Sequence, residues 1–222
     1  SCSHDVGSTI DNGMDRKITA LKAQKKNPNR VSVYLDDEYA FGLAKIVAAW
    51  LQVGQTLSDE KIAELKEQDN SEVALQKALR FLSYRPRSEA EIQKKLSDQG
   101  YTPAVIQEVL DKLRTNHLIG DSEFARTWIE NRNTFRPRSH RLLTLELRQK
   151  GVAEDVIQET LADSVDEEEL AYQAAVRYAR RLEGADWETF RRKLSGFLGR
   201  RGFSYGTIAP VVRNVWSETR SE

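Results

Sequence analysis

The sequence offers little material for covalent, redox or metal chemistry. It holds one cysteine, Cys2, in 222 residues, so no disulfide can close within the chain. No apolar run approaches the roughly 20 residues of a membrane span, and no charged segment followed by an apolar one opens the chain as a leader would. These absences read as a reduced, cytoplasmic protein with no membrane partner. Glycine and proline are scarce, 12 and 5 residues, which argues for helices and against a sandwich or barrel. Charge of one sign is not in excess either. Lys and Arg number 34 and so do Asp and Glu, so net charge names no partner. The single methionine, Met14, reads as the native start. Residues 1–13 would then be left over from expression, and Cys2 and His4 would not be native.

What the chain does have is a repeat. Tyr84-Arg85-Pro86-Arg87-Ser88 returns as Phe135-Arg136-Pro137-Arg138-Ser139, 51 residues later. The same interval relates Leu96, Leu147 and Leu198, then Gly100, Gly151 and Gly202, then Ile106, Ile157 and Ile208, then Leu110, Leu161 and Val212. A fixed period of this size marks tandem structural units. Within a unit, proline ends one helix, because the preceding residue is steered from the helical region. Ser88 with Glu91 makes a capping box for the next helix. Gly100 supplies the positive φ at that helix's end, and Thr102-Pro103 opens a third helix. The third copy lacks the Arg-Pro-Arg-Ser stretch, with Asp186-Trp187-Glu188 near its place, yet keeps the glycine and the apolar register. The expected fold is all-α: three tandem three-helix, helix-turn-helix-like repeats at 71–120, 121–171 and 172–222. Units this small are marginal alone, so stacking into an elongated array is expected.

Ahead of the repeats, at 14–70, the expectation is a small extension with a β-hairpin and helices. Residues 15–27 are polar. Val31–Leu35 alternates, Asp36-Asp37-Glu38 forms a loop longer than two residues, and Tyr39–Leu43 returns. Ala44–Leu51 reads as helical, a turn follows over 52–57, and Ser58 caps a charged helix ending near Gln68. A separate helix is expected over 72–83.

The candidate functional residues are basic. Arg85, Arg87, Arg136, Arg138 and Arg141 fall at matching corners between helices, where guanidinium groups can pair with carboxylates or phosphates. The plain alternative is solvated surface charge. In the third copy, Arg191, Arg192, Lys193, Arg200 and Arg201 stand out, with Arg177, Arg180, Arg181 and Arg213 adding to a basic end. An acidic run, Asp163 and Asp166 to Glu169, precedes it, and helix-dipole logic accounts for part of both. Groove reading by the second helices of copies one and two is disfavoured, since Gln107, Glu108, Asp111, Lys112 and Glu154, Asp155, Gln158, Glu159 set carboxylates against phosphates. Trp128, Phe135, Tyr172, Tyr178, Trp187, Phe190, Phe197, Phe203 and Tyr205 stand mostly at core spacing. His117 and His140 are isolated, and neither a phosphate-binding glycine loop nor Cys/His metal spacing occurs. No catalytic residue, cofactor or metal site is expected, and the chain does not read as an enzyme.

The stretch from Ala78 through Ser83-Tyr84-Arg85-Pro86-Arg87-Ser88 to Glu91 resembles the opening motif of the RecX family of recombination regulators. Leu118–Ala125, with Asp121, Phe124 and Ala125, is similar to that family's second motif, and Trp128–Arg138 also fits. The resemblance spans residues 71 to 218; the N-terminal hairpin is typical of a longer branch. It implies a non-enzymatic, array-like modulator that binds the filament of the RecA recombinase on DNA and inhibits its growth, ATP hydrolysis and strand exchange. Some family members also bind DNA directly. The partners so implied are the RecA filament and single- or double-stranded DNA, met by a monomer. A balanced charge favours the filament protein as main contact. The competing reading is a DNA-binding module acting through backbone charge contacts without RecA.

Overall fold

The polar opening stretch is a strand. In the computed structural model, which describes residues 14–221, β1 (Arg16–Ala23) lies between β2 (Arg30–Leu35) and the two-residue β4 (Thr56–Leu57), with β3 (Glu38–Ala44) beyond β2. The expected hairpin thus belongs to a four-stranded antiparallel sheet. β1 is paired by β4 only at Arg16 and Lys17. Most of it is therefore half solvated, and its lysines need no burial, which is why polarity hid it. The residues expected to be an expression remnant, with Cys2 and His4, lie outside the described residues.

Two local expectations are corrected. The β2–β3 loop has two residues, Asp36 and Asp37, with φ of 50° and 68°, and Leu35 pairs with Glu38. Positive φ at both positions matches the strand twist, and the turn is held by Lys17 N–H donating to Asp36 Oδ1 (3.2 Å) and Asp37 N–H to Thr19 Oγ1 (3.0 Å). The helix expected over 44–51 is the single turn α1 (Lys45–Ala48), because the chain must turn back at Gly54 to bond Ile18 beside β1.

The two helices expected over 58–68 and 72–83 are one, α2 (Asp59–Tyr84). Its start is capped as expected, Lys61 N–H donating to Ser58 Oγ at 3.1 Å. Asp69-Asn70-Ser71 is poor helix sequence, but its side chains are used in tertiary bonds. Asp69 accepts both prongs of Arg30 (3.2 and 3.0 Å) and the Ala44 N–H (2.7 Å), and Ser71 donates to Glu108 (3.0 Å). Ile62 and Leu65 of α2 join Ile18, Val33, Leu35, Phe41, Leu43, Ala48 and Leu57 in the first core.

Beyond α2 the chain is helical: α3 (Glu89–Asp98), α4 (Pro103–Thr115), α5 (Asp121–Phe135), α6 (His140–Gln149), α7 (Glu154–Ala162), α8 (Glu167–Ala179), α9 (Trp187–Arg200) and α10 (Tyr205–Thr219). The 51-residue interval holds at the level of helix ends. α3, α6 and α9 finish at 98, 149 and 200, and α4, α7 and α10 begin at 103, 154 and 205. The leucine, isoleucine and valine positions of the repeat are all buried, and Gly100, Gly151 and Gly202 all take positive φ. Among the described residues the chain divides into two compact units. One is Ser1–Phe81 with Tyr101–Val109, the other Leu82–Gly100 with Leu110–Glu222. In the second, α5–α7 enclose Phe124, Ile129, Leu143, Leu147, Ile157 and Leu161. α8–α10 enclose a larger core built on Leu170, Phe190, Leu194, Leu198, Phe203 and Val215. No helix among the described residues is long and apolar enough to cross a membrane.

Candidate functional site

Both Arg-Pro-Arg-Ser stretches are joints between helices, and each docks on the glycine corner of the following copy. Ser88 caps α3 through the full capping box: its hydroxyl accepts from Glu91 N–H (3.2 Å), and Glu91 Oε2 accepts from Ser88 N–H (2.9 Å). The same hydroxyl donates to the carbonyl of Lys150 at 2.5 Å. Ser139 caps α6 likewise, accepting from Leu142 N–H (3.2 Å), while its own N–H donates to the carbonyl of Arg201 at 3.0 Å. Gly151 and Gly202 follow those two carbonyls. A Cβ on Gly151 would strike Ala90, and one on Gly202 would lie 2.5 Å from both Leu142 Cγ and Ser139 Oγ.

A carboxylate holds one arginine of each joint. In the first joint, Arg85 donates to Glu91 Oε1 (2.7 Å), Lys150 donates to the same oxygen (3.0 Å), and Arg85 also reaches Pro86 O (2.9 Å). Arg87 is half-buried. Burial and the adjacent Arg85 lower its pKa, and Glu91 works the other way. In the second joint, Glu146 accepts from Trp128 Nε1 (2.8 Å), Arg132 Nε (3.0 Å) and Arg138. The position of Glu91 is taken there by Leu142. Arg136, the counterpart of Arg85, is exposed. Arg201, the counterpart of Lys150, lies over the Phe197 ring at 5.0 Å. Burial lowers its pKa, and the like charges of Arg138 and Arg136 lower it further. Glu91 thus serves two cations of the first joint, while its place in the second holds no carboxylate. The difference was readable as Glu91 against Leu142, once the two stretches were aligned.

Burial opposes ionisation of Glu91, but bonds from Arg85, the Ser88 N–H and Lys150 outweigh it and hold the carboxyl at about 2, against an ordinary 4.5. A folded pKa below the unfolded one gives stability that is full above the unfolded value and disappears as pH falls through the folded one. The parent should therefore lose stability between about pH 4.5 and pH 2 more steeply than Glu91→Gln. Urea midpoints at pH 5, 4 and 3 check this, and parallel profiles for the two proteins would refute it.

The remaining candidates are on open surface. Arg141 on α6 and Arg191, Arg192, Lys193 and Arg200 on α9 are exposed. Arg191 and Arg192 share a groove with Arg213 of α10. The acidic run is partly structural: Asp166 caps α8 by accepting from Glu168 N–H, and Glu167 accepts from His140 N–H, each at 3.2 Å. Most of the aromatics pack in or against cores, as the spacing suggests. Phe135 and Tyr205 do not, being 72% and 81% exposed. Tyr84, the counterpart of Phe135, is 71% exposed. No group of three or more His, Cys, Asp or Glu side chains that could hold a metal occurs among the described residues.

Comparison with known proteins gives a uniform result. Four family descriptions match in order: "Regulatory protein RecX N-terminal domain" at residues 16–58, then "RecX, first three-helix domain" at 74–113, the second at 121–161 and the third at 166–212. A Bacillus subtilis protein named Regulatory protein RecX is 31% identical over 204 residues, which is 89% of this chain and 76% of that protein. One of the same name from Listeria welshimeri is 31% identical over 192 residues, 85% of this chain and 71% of that one. A crystal structure of regulatory protein RecX superposes with a TM-score of 0.67 at 28% identity, covering 93% of this chain and 100% of that one. RecX from Lactobacillus salivarius gives 0.58 at 23% identity over 67% of this chain and 97% of its own, a likeness of fold.

Proposed function

The chain belongs to the RecX family of regulatory proteins, and from that premise we propose that it binds the RecA recombinase filament on DNA. There it inhibits or modulates filament growth, ATP hydrolysis and strand exchange in recombination and repair, as a cytoplasmic, non-enzymatic monomer. The observation that carries this is the ordered match of all four family segments along one chain. A borrowed three-helix fold would match in one place. Here four segments match in order, at 16–58, 74–113, 121–161 and 166–212; the domains we propose from them are an N-terminal module at 14–70 and repeats at 71–120, 121–171 and 172–222.

The contact residues proposed for the filament or DNA are Arg85, Arg87, Arg136, Arg138, Arg141, Arg191, Arg192, Lys193, Arg200 and Arg201. Within that set the exposed Arg136 and Arg141 and the α9 cluster are the strongest contributors, because Arg85 and Arg138 already hold carboxylates. Tyr84 and Phe135, equally exposed at equivalent joints, present an aromatic ring twice, which suits a partner made of repeated identical subunits.

The test is ATP turnover by RecA on single-stranded DNA. Adding this chain at substoichiometric to equimolar amounts should suppress turnover, and charge reversal at Arg136 should weaken the suppression while leaving the melting curve near the parent's. Unchanged turnover at equimolar protein would sink the proposal.

A further inference from the structure

The first compact unit has a groove of about 1020 Å³ between α1 and α2. Lys45, Ile46 and Ala49 line one side, and Val73, Lys77 and Arg80 the other. None of the residues proposed for the filament or DNA lines it. Its volume is at the upper end of what takes a whole small ligand, so several side chains of a peptide fit. Its apolar rim is open to solvent. Ile46 is 67% exposed and Trp50 89%. The backbone stays right-handed helical through Ala49, so Ile46 and Trp50 stand on one face.

The repeat provides an internal comparison. Counting forward by 51 residues, Val73 corresponds to Phe124 and Lys77 to Trp128. In the second copy those two rings stack at 5.9 Å, with Phe124 buried in the core and Trp128 packed against it. The first copy carries a short side chain and a lysine at these positions, and the face that rings fill in the second copy is left as a groove. Its charge is one-sided. Arg30 is already matched by Asp69 at 3.0 Å, and Glu72, the one carboxylate in the lining, accepts from Gln76 at 2.9 Å. Lys45 and Lys77, one on each side, are exposed. Among the described residues neither forms an ion pair. Lys77 lies 5.0 Å from the Tyr101 ring, a contact that leaves its charge in place.

We propose that this groove binds an acidic amphipathic helix of a partner protein, its apolar side chains laid on Ile46, Val73 and Trp50 and its carboxylates on Lys45 and Lys77. An amphipathic helix presents an apolar stripe with charged residues along both flanks, which is the complement of apolar side chains with a cation on each side. A strand would turn its acids to the opposite face, away from the lysines. Exposed tryptophan is the side chain that most often anchors such contacts. A nucleic-acid backbone is the poorer fit: its phosphates would meet Glu72 as well as the lysines and would lie against the apolar Ile46, Ala49 and Val73. The inference does not rest on the filament reading, since the groove lies outside the proposed filament contacts and its test contains no RecA.

The experiment is fluorescence anisotropy of a labelled peptide with leucines at i, i+3, i+4 and i+7 and glutamates elsewhere, titrated with the full chain at several salt concentrations. Binding should saturate and weaken as salt rises. Trp50→Ala should weaken it about 10-fold with the salt dependence unchanged. Lys45→Glu/Lys77→Glu should weaken it about 10-fold at low salt and flatten the salt dependence. The substituted side chains are exposed, so melting curves should match the parent's; if the double variant melts early, Trp50→Ala and Ile46→Ser carry the test. No saturation by about 1 mM peptide would overturn the proposal, as would parent-like affinity in the variants. Equal binding of a peptide with serines for its leucines, or lysines for its glutamates, would overturn it too. Equal competition by an oligothymidylate would assign the groove to nucleic acid instead.

Discussion

Glu146→Ala should lower the stability of the second compact unit by about 3 kcal/mol, in the range for breaking a buried ion pair from one side. The Glu146 side chain is 14% exposed and serves Trp128, Arg132 and Arg138 together. Removing it leaves two half-buried cations and an indole N–H without their acceptor. Arg132 also stacks on the Trp128 ring at 4.7 Å, so the two groups losing the carboxylate are held against each other. Glu146→Gln keeps an acceptor for the indole but no charge for the guanidinium groups, and should lose about half as much. Urea unfolding followed by tryptophan fluorescence measures both. A loss for Glu146→Ala below about 1 kcal/mol, the worth of an exposed pair, would show that the network contributes only surface charge.

Gly202→Ala should cost a similar amount for a different reason, and Gly100→Ala provides the control. Both glycines have nearly the same backbone, φ of 90° and 87°, so an alanine meets the same left-handed penalty of roughly 1–2 kcal/mol at each. Only at Gly202 does the new Cβ also run into a neighbour, Leu142 Cγ and Ser139 Oγ at 2.5 Å, while Gly100 has nothing within 4 Å. Forced overpacking adds about 1–3 kcal/mol. The difference between the two variants, about 2 kcal/mol, is the part owed to the joint seated on Gly202. Thermal or urea unfolding of the pair reads it directly, and equal losses would mean that the joint can shift aside without cost.

The helical part was legible because its information is local and repeated. Ser88 three residues before Glu91, glycine at 100, 151 and 202, and one apolar register written three times define helix ends and cores without tertiary knowledge. The N-terminal module was less legible. β1 is polar because it is only partly covered, and α2 runs through Asp69 and Ser71 because Arg30, Ala44 and Glu108, far off in sequence, bond their side chains. The arginines show the same limit. Their spacing was plain, but whether each is held depends on a carboxylate several residues away: Glu91 for Arg85, Glu146 for Arg138. The groove between α1 and α2 left a trace that comparison of the copies recovers, Val73 and Lys77 in the first where the second has Phe124 and Trp128.

The seating of each joint on the next copy's glycine corner also gives the chain a beginning and an end. The contact is heterologous: the surface offered by one copy differs from the surface that receives it, and such contacts propagate into open fibres unless something stops them. The corner at Gly100 receives no joint and stands open. The matching piece on the third copy would have been a third occurrence of the plug, yet Asp186 and Trp187 stand there without Arg-Pro-Arg-Ser. The third copy thus carries no such plug to offer to an open corner. With the joint absent from the third copy, a head-to-tail repeat is used three times in one chain and its series of plugs ends inside the chain.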